Sequence, residues 1–165
     1  KLAVEYYLNS YFSLFGIPSL VVRYGNVFGP RQNPYGESGV VAICIKTILR
    51  GEQFVIHGEG SQTRDYIYVK DAIKATVLSF QKNLQGIYNI GTGTETSVSE
   101  VFSRIKKLMN SLREPRYGQL PLGTLLRGSL SAEKIQKELH WKPGYTFEQG
   151  LQETIDWFGN RLSMP

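Results

Sequence analysis

Apolar positions along the 165 residues recur at two spacings, and the alternation between them predicts the fold class. Leu2, Val4, Leu8, Phe12 and Phe15 fall near the helical period over 1–15, and Gly16 is placed to stop that helix. Leu20-Val21-Val22-Arg23-Tyr24 is a short continuous apolar run, as in a buried parallel strand. Helical spacing returns over 40–49 and ends at Gly51. Short strands are predicted at 54–57, 64–69 and 86–91, with a helix from Asp71 to about Gln81. Ser97 and Glu100 form a capping box that opens a helix to about Asn110. Ser131 is placed to cap a short helix to Leu139, and a second box, Thr146 with Gln149, opens a last helix to about Phe158. Residues 113–130 read as irregular, with one short strand around Leu125.

Strands alternating with helices argue for βαβ units, so the expected class is α/β with a parallel sheet. Only two or three of these strands are long enough to be sheet centres. Such a sheet would leave an open edge and an uncovered face. The sequence begins at Lys1, already inside a helical pattern. Both features predict the carboxyl-terminal part of a larger α/β protein.

Composition narrows the options. With 41% hydrophobic and 20% charged residues, this is an ordinary globular balance. A net charge of +5 could suit nucleic acid, but the cations are spread along the chain. The densest group, Arg104, Lys106 and Lys107, falls on the outer face of a predicted helix, where solvation explains it. No nucleic-acid partner is expected. One cysteine, Cys44, and two histidines leave no disulfide framework and no metal-ligand cluster, which fits a reducing cytoplasm. No apolar run approaches the roughly 20 residues of a membrane span, and no signal peptide is visible, so no membrane association is expected.

The candidate chemistry centres on residues 58–71. Gly58 and Gly60 bracket a turn, and Arg64 stands at the start of a predicted strand. A guanidinium there suits a phosphate or carboxylate, or only a neighbouring acid. Asp71 is placed to cap the helix that follows. The loop 25–39 holds four glycines and two prolines and is long enough to suggest a role. In it, Asn26 emerges just past a strand's carboxyl end, where ligands bind in open parallel sheets, with an Asx-type turn as the lesser alternative. Gly91-Thr92-Gly93 looks like a dinucleotide loop, but the fingerprint needs glycine at 96 and Thr96 stands there, so a tight turn is the simpler reading.

Four blocks together resemble a known family: residues 23–32 (Arg-Tyr-Gly-Asn-Val-Phe-Gly-Pro-Arg-Gln), residues 36–43, residues 58–71 and Tyr88-Asn89-Ile90-Gly91-Thr92-Gly93, with residues 138–143 and 148–151 in support. The chain is similar to the carboxyl-terminal half of an extended short-chain dehydrogenase/reductase of the nucleotide-sugar epimerase and dehydratase group, most like UDP-glucose 4-epimerases. The resemblance implies the end of a Rossmann-type sheet interleaved with a small mixed α/β substrate domain over 1–165, the NAD-binding half lying upstream.

What the resemblance implies about residues is specific. Lys1 would be the lysine of the family's Tyr-x-x-x-Lys motif, holding the nicotinamide ribose and lowering the pKa of a tyrosine four positions upstream. Tyr24 would pack near the nicotinamide. Asn26 would contact substrate diphosphate or sugar; Gly39, Val40 and Val41 would start the helix over the nucleoside; Val55 and His57 would flank the uracil. His57 departs from the usual Phe or Tyr. Arg64 would grip the diphosphate. Where the family usually has Arg-x-Gly-Asp, this chain has Pro121-Leu122-Gly123-Thr124. Arg127 is a candidate replacement for the missing arginine, and Arg116 a weaker one.

The implied reaction is NAD-dependent epimerisation at C4 of a UDP-hexose in a homodimer, by transient oxidation and return of hydride to the opposite face. A 4,6-dehydratase or decarboxylase of the same group is the near alternative. A non-catalytic module that keeps the nucleotide-sugar pocket is the reading from another class. The 165 residues alone would lack the catalytic tyrosine and the glycine-rich NAD loop.

Overall fold

The computed structural model describes residues 1–36 and 39–162. Glu37 and Ser38, which fall in the second matching block, lie outside the described residues. The order is α1 (Leu2–Phe15), β1 (Leu20–Tyr24), β2 (Asn26–Phe28), α2 (Val40–Leu49), β3 (Val55–His57), β4 (Thr63–Tyr68), α3 (Val69–Gln81), β5 (Gly86–Ile90), β6 (Glu95–Ser97), α4 (Val98–Leu108), β7 (Arg116–Gly118), α5 (Glu133–Leu139) and α6 (Phe147–Leu162).

The pairing is mainly parallel, as the βα alternation requires. β1 pairs with β5, β2 with β4, and β3 with β7, all parallel, while β6 adds antiparallel to β4. Alternation along β4 divides the molecule, because successive side chains leave opposite faces. Tyr66 and Tyr68 join Phe28, Ile45, Ile56, Phe102 and Leu151 in a core under α2, α4 and α6. Ile67 joins Ala75, Tyr88, Ile90 and Ile135 in a second core under α3 and α5. Cys44 is fully buried in the first, and burial pushes its thiol far above the ordinary range.

The expected uncovered face is present. α1 has no buried residue, and Leu2, Tyr6, Tyr7, Phe12 and Phe15 are exposed, as is Ile87 on β5. Among the described residues, no helix is long and apolar enough to cross a membrane.

Local expectations met the structure unevenly. Gly16 closes α1 in the left-handed region, and both capping boxes form. Asp71 does not cap α3. The helix starts at Val69, and the buried Asp71 carboxylate accepts instead from the backbone N–H groups of Gly144 (2.9 Å) and Tyr145 (3.0 Å). The strand expected around Leu125 lies at Arg116–Gly118. The N-cap of α5 is Ala132, one residue past Ser131. α6 runs on to Leu162. The strands β2 and β6 were not expected at all.

Candidate active-site cleft

β4 builds the site. Arg64 and Tyr66 leave the same face, and Asn26 of β2 stands opposite Tyr66 in the parallel register. On that face lies a cavity of about 360 Å³ lined by residues from four regions. Asn26, Arg64 and Tyr66 form its polar end on the sheet. Gly39, Val40 and Ile43 bring the start of α2 to it. Val55 and His57 come from β3, and Leu120, Pro121 and Thr124 from the loop after β7.

The cavity is prepared for an anion. Gly39 precedes α2 at φ 107°, and no side chain among the described residues caps that helix, so its first N–H groups have no side-chain cap partner among them. Arg64 has no carboxylate partner among the described residues. Its Nη1 donates to the carbonyls of Thr63 and Leu125, both at 2.7 Å, which aims the fork and leaves Nε and Nη2 for a ligand. Tyr66 beside it is pushed up to about 12 by burial, an effect the Arg64 charge opposes. The Asn26 amide makes no hydrogen bond to described residues, so it too is available.

A tight loop framework holds this wall. The buried carboxylate of Asp65, on the opposite face of β4, accepts from Thr92 N (2.9 Å), Thr92 Oγ1 (2.6 Å), Gly93 N (3.0 Å) and Leu130 N (3.2 Å). Gly91-Thr92-Gly93 is therefore a turn clasping an internal carboxylate, with its N–H groups already used. Thr63 N donates to Leu126 O at 2.9 Å, so the segment after the missing family arginine runs along the start of β4.

Six sequence-predicted residues thus converge: Asn26, Gly39, Val40, Val55, His57 and Arg64 line one cavity. Four stand elsewhere. Val41 is 1% exposed and packs in the core. Arg127 does not line the cavity; it is bound to Glu95 through Nε (3.0 Å) and Nη2 (3.1 Å). Tyr24 ends β1, its hydroxyl hydrogen-bonded to Thr76 Oγ1 at 2.7 Å. Lys1 is exposed at the start of α1. The bond from Arg23 Nε to Glu5 Oε1 (2.8 Å) lays the first turn of α1 beside the end of β1, while Tyr24, the next residue, turns to α3 on the other face.

Sequence reasoning missed Tyr66, Gln62 and Thr124. Tyr66 was findable, since it follows Arg64 by the two-residue strand period. A larger cavity of about 480 Å³ lies beside this one, between Tyr68, Thr96 and Phe147. Its charged side chains are all engaged: Asp71 by Gly144 and Tyr145, Glu95 by Arg127, Glu100 by Ser97 and Arg104 by Glu148. It offers a ligand no free charge.

Comparison with known proteins bears on the family and the fold. The model of the NAD dependent epimerase/dehydratase family matches residues 1–91. A UDP-glucose 4-epimerase of Mycolicibacterium smegmatis is 37% identical over 98% of this chain and 52% of its own length. A dTDP-glucose 4,6-dehydratase of Xanthomonas campestris is 31% identical over 96% of this chain and 47% of its own. The crystal structure of UDP-glucose 4-epimerase with UDP-glucose from Thermotoga maritima superposes with a TM-score of 0.93 at 38% identity, covering 98% of this chain and 52% of that one. The chain spans about half the length of the relatives it matches. By its matched sequence and its fold, the chain belongs to the NAD-dependent epimerase/dehydratase family.

Proposed function

We propose that this chain is the substrate-binding, carboxyl-terminal part of an NAD-dependent nucleotide-sugar epimerase that interconverts UDP-glucose and UDP-galactose. The observation that carries the reading is the convergence of Arg64, Asn26, the uncapped start of α2, Val55 and His57 on one cavity. A cation, an amide and a helix amino terminus suit a diphosphate, and apolar walls suit a base. The relatives that support C4 epimerisation include 4-epimerases over nearly the whole chain; the similarity to 4,6-dehydratases keeps dehydration as the second reading.

The residues present fit part of NAD. Lys1 is exposed at the start of α1 and Tyr24 at the end of β1; they would hold the nicotinamide ribose and flank its ring. The Gly91–Gly93 turn does not fit a cofactor phosphate, because its N–H groups are spent on Asp65. The dinucleotide loop therefore belongs to an upstream half. When bound, NAD accepts the C4 hydride and returns it. The chain's own contribution is to orient the sugar by its diphosphate and to place Lys1 at the ribose. We further infer a homodimer, since α1 presents an unburied apolar surface, and a reducing cytoplasmic setting, which the single buried thiol of Cys44 suits.

The full-length protein with NAD should convert UDP-galactose to UDP-glucose. Turnover of a dTDP-, CDP- or GDP-sugar in its place rejects the substrate; formation of a 4-keto-6-deoxy sugar selects the dehydratase reading.

A further inference from the structure

His57 differs from a plain aromatic wall in one respect that its surroundings decide. Its Nδ1 lies 3.0 Å from the carbonyl oxygen of Gln119. A carbonyl can only accept, so Nδ1 carries the proton. In the neutral ring, Nε2 is then an unprotonated acceptor, and no described residue bonds to it. The tautomer is held by structure. β7 runs parallel to β3, and Gly58 N donates to Gly118 O at 2.8 Å, which fixes Gln119 beside the imidazole. Gly118 leaves room for the ring, since a Cβ there would meet Val55 Cγ1 at 3.1 Å and His57 Nδ1 at 3.4 Å.

A second acceptor stands at the same wall. Gln62 Nε2 donates to His57 O at 3.0 Å, which turns the amide so that its oxygen has no partner among the described residues. Both side chains line the cavity. The two sides of that cavity differ. Arg64 and Asn26 stand on the β2–β4 sheet, while His57 stands with Val55 on β3, and its bond to Gln119 sets Leu120 and Pro121 next along the chain. A phosphate belongs with the first. A flat heterocycle belongs with the second, where it would meet the acceptors His57 Nε2 and Gln62 Oε1, with the second N–H of the Gln62 amide beside them.

Resting on the nucleotide-sugar reading, we propose that His57 is a specificity residue that reads the nucleobase through Nε2. It favours a base that carries a ring N–H, as uracil and thymine do at N3, over cytosine, whose N3 is itself an acceptor. Two facing acceptors repel, and an acceptor that a bound base covers without pairing is costly.

The test compares binding of UDP and N3-methyl-UDP to the full-length protein and its His57→Phe variant, by calorimetry, with the ring kept neutral. Phe preserves the flat wall and removes the acceptor. N3-methylation should weaken binding to the parent about tenfold and to His57→Phe by no more than about twofold. Restoring an acceptor with His57→Gln should recover most of the sensitivity. An equal penalty in parent and His57→Phe overturns the proposal while UDP binding stands. Failure of UDP itself to bind the parent overturns the nucleotide-sugar reading and this one with it.

Discussion

Replacing Asp65 by Asn tests the framework behind the cavity without touching its lining. Asp65 is 2% exposed. Its Oδ1 accepts from Thr92 N and Oγ1, and its Oδ2 from Gly93 N and Leu130 N. Asn keeps the shape and one acceptor oxygen, but sets an NH₂ group against two N–H donors. Hydrogen bonds to a charged acceptor contribute about 1.5–3 kcal/mol each, and exposed Gly93 can recover part of its loss from water. The expected destabilisation is about 2–4 kcal/mol. That corresponds to roughly 4–16 °C in Tm for a chain of this size. Urea unfolding monitored by circular dichroism should show a lower midpoint at an unchanged slope. UDP-sugar affinity should fall as well, because Leu130 and Leu125 belong to the segment that carries the cavity wall. A loss below about 1 kcal/mol would refute the reasoning, since four donors cannot then depend on this carboxylate.

Gly60→Ala should cost about 2–4 kcal/mol in the same assay, because Gly60 has φ 74° and a Cβ would come within 2.1 Å of Ser99 Oγ; a neutral outcome counts against the turn. Pro121→Arg, which returns a cation to the exposed cavity rim, should tighten UDP-sugar binding about two- to tenfold and steepen its salt dependence. No change would mean the rim does not reach the diphosphate. Tyr66 and Tyr88 are each pushed up to about 12, Tyr66 by burial and Tyr88 by burial together with the Glu138 carboxylate it bonds. A raised folded value stabilises below the ordinary phenol range and is lost as pH climbs through it. Alkaline titration followed by phenolate absorbance should show these two lagging, with Tyr68, also raised, beside them. Ionisation of all ten tyrosines near the ordinary value of about 10, in protein still folded by circular dichroism, would contradict their environments.

What was legible in the sequence was what local physics decides. The periodicity gave α1 and α2, and Ser97 with Glu100 marked the start of α4 because the whole motif lies within four residues. Elements made by distant partners were hidden. Asn26–Phe28 sits between Gly25 and Gly29 in a run that reads as loop, and it is a strand only because Tyr66–Tyr68 supplies the ladder. Arg116–Gly118 follows a proline and shows no alternation, yet β3 pairs with it. Asp71 looked like a cap because its type and position suited one; the N–H groups of Gly144 and Tyr145, more than seventy residues on, took its carboxylate. The site followed the same division. Arg64 could be named from its strand and from a resemblance, while Arg127, equally cationic, is paired with Glu95 by folding that no local pattern announces.

Arg64 offers the sharpest division between charge and geometry. Its Nη1 is held by the carbonyls of Thr63 and Leu125, and Leu125 lies in the segment that Asp65 grips at Leu130 from the other face of β4. The fork is therefore set before a ligand arrives, and little side-chain freedom remains to be lost on binding. A lysine at this position keeps the charge, but one ammonium cannot bridge both carbonyls and also present two parallel N–H groups to a phosphate. Arg64→Lys should then weaken UDP-sugar binding nearly as much as Arg64→Ala, by about 10- to 100-fold for a charge-assisted contact of about 1.5–3 kcal/mol. NAD affinity should be unaffected in both, since neither Lys1 nor Tyr24 lines the cavity that Arg64 does. Lysine binding within about threefold of the parent would show that charge alone suffices. Parallel loss of NAD binding would remove Arg64 from the substrate diphosphate altogether.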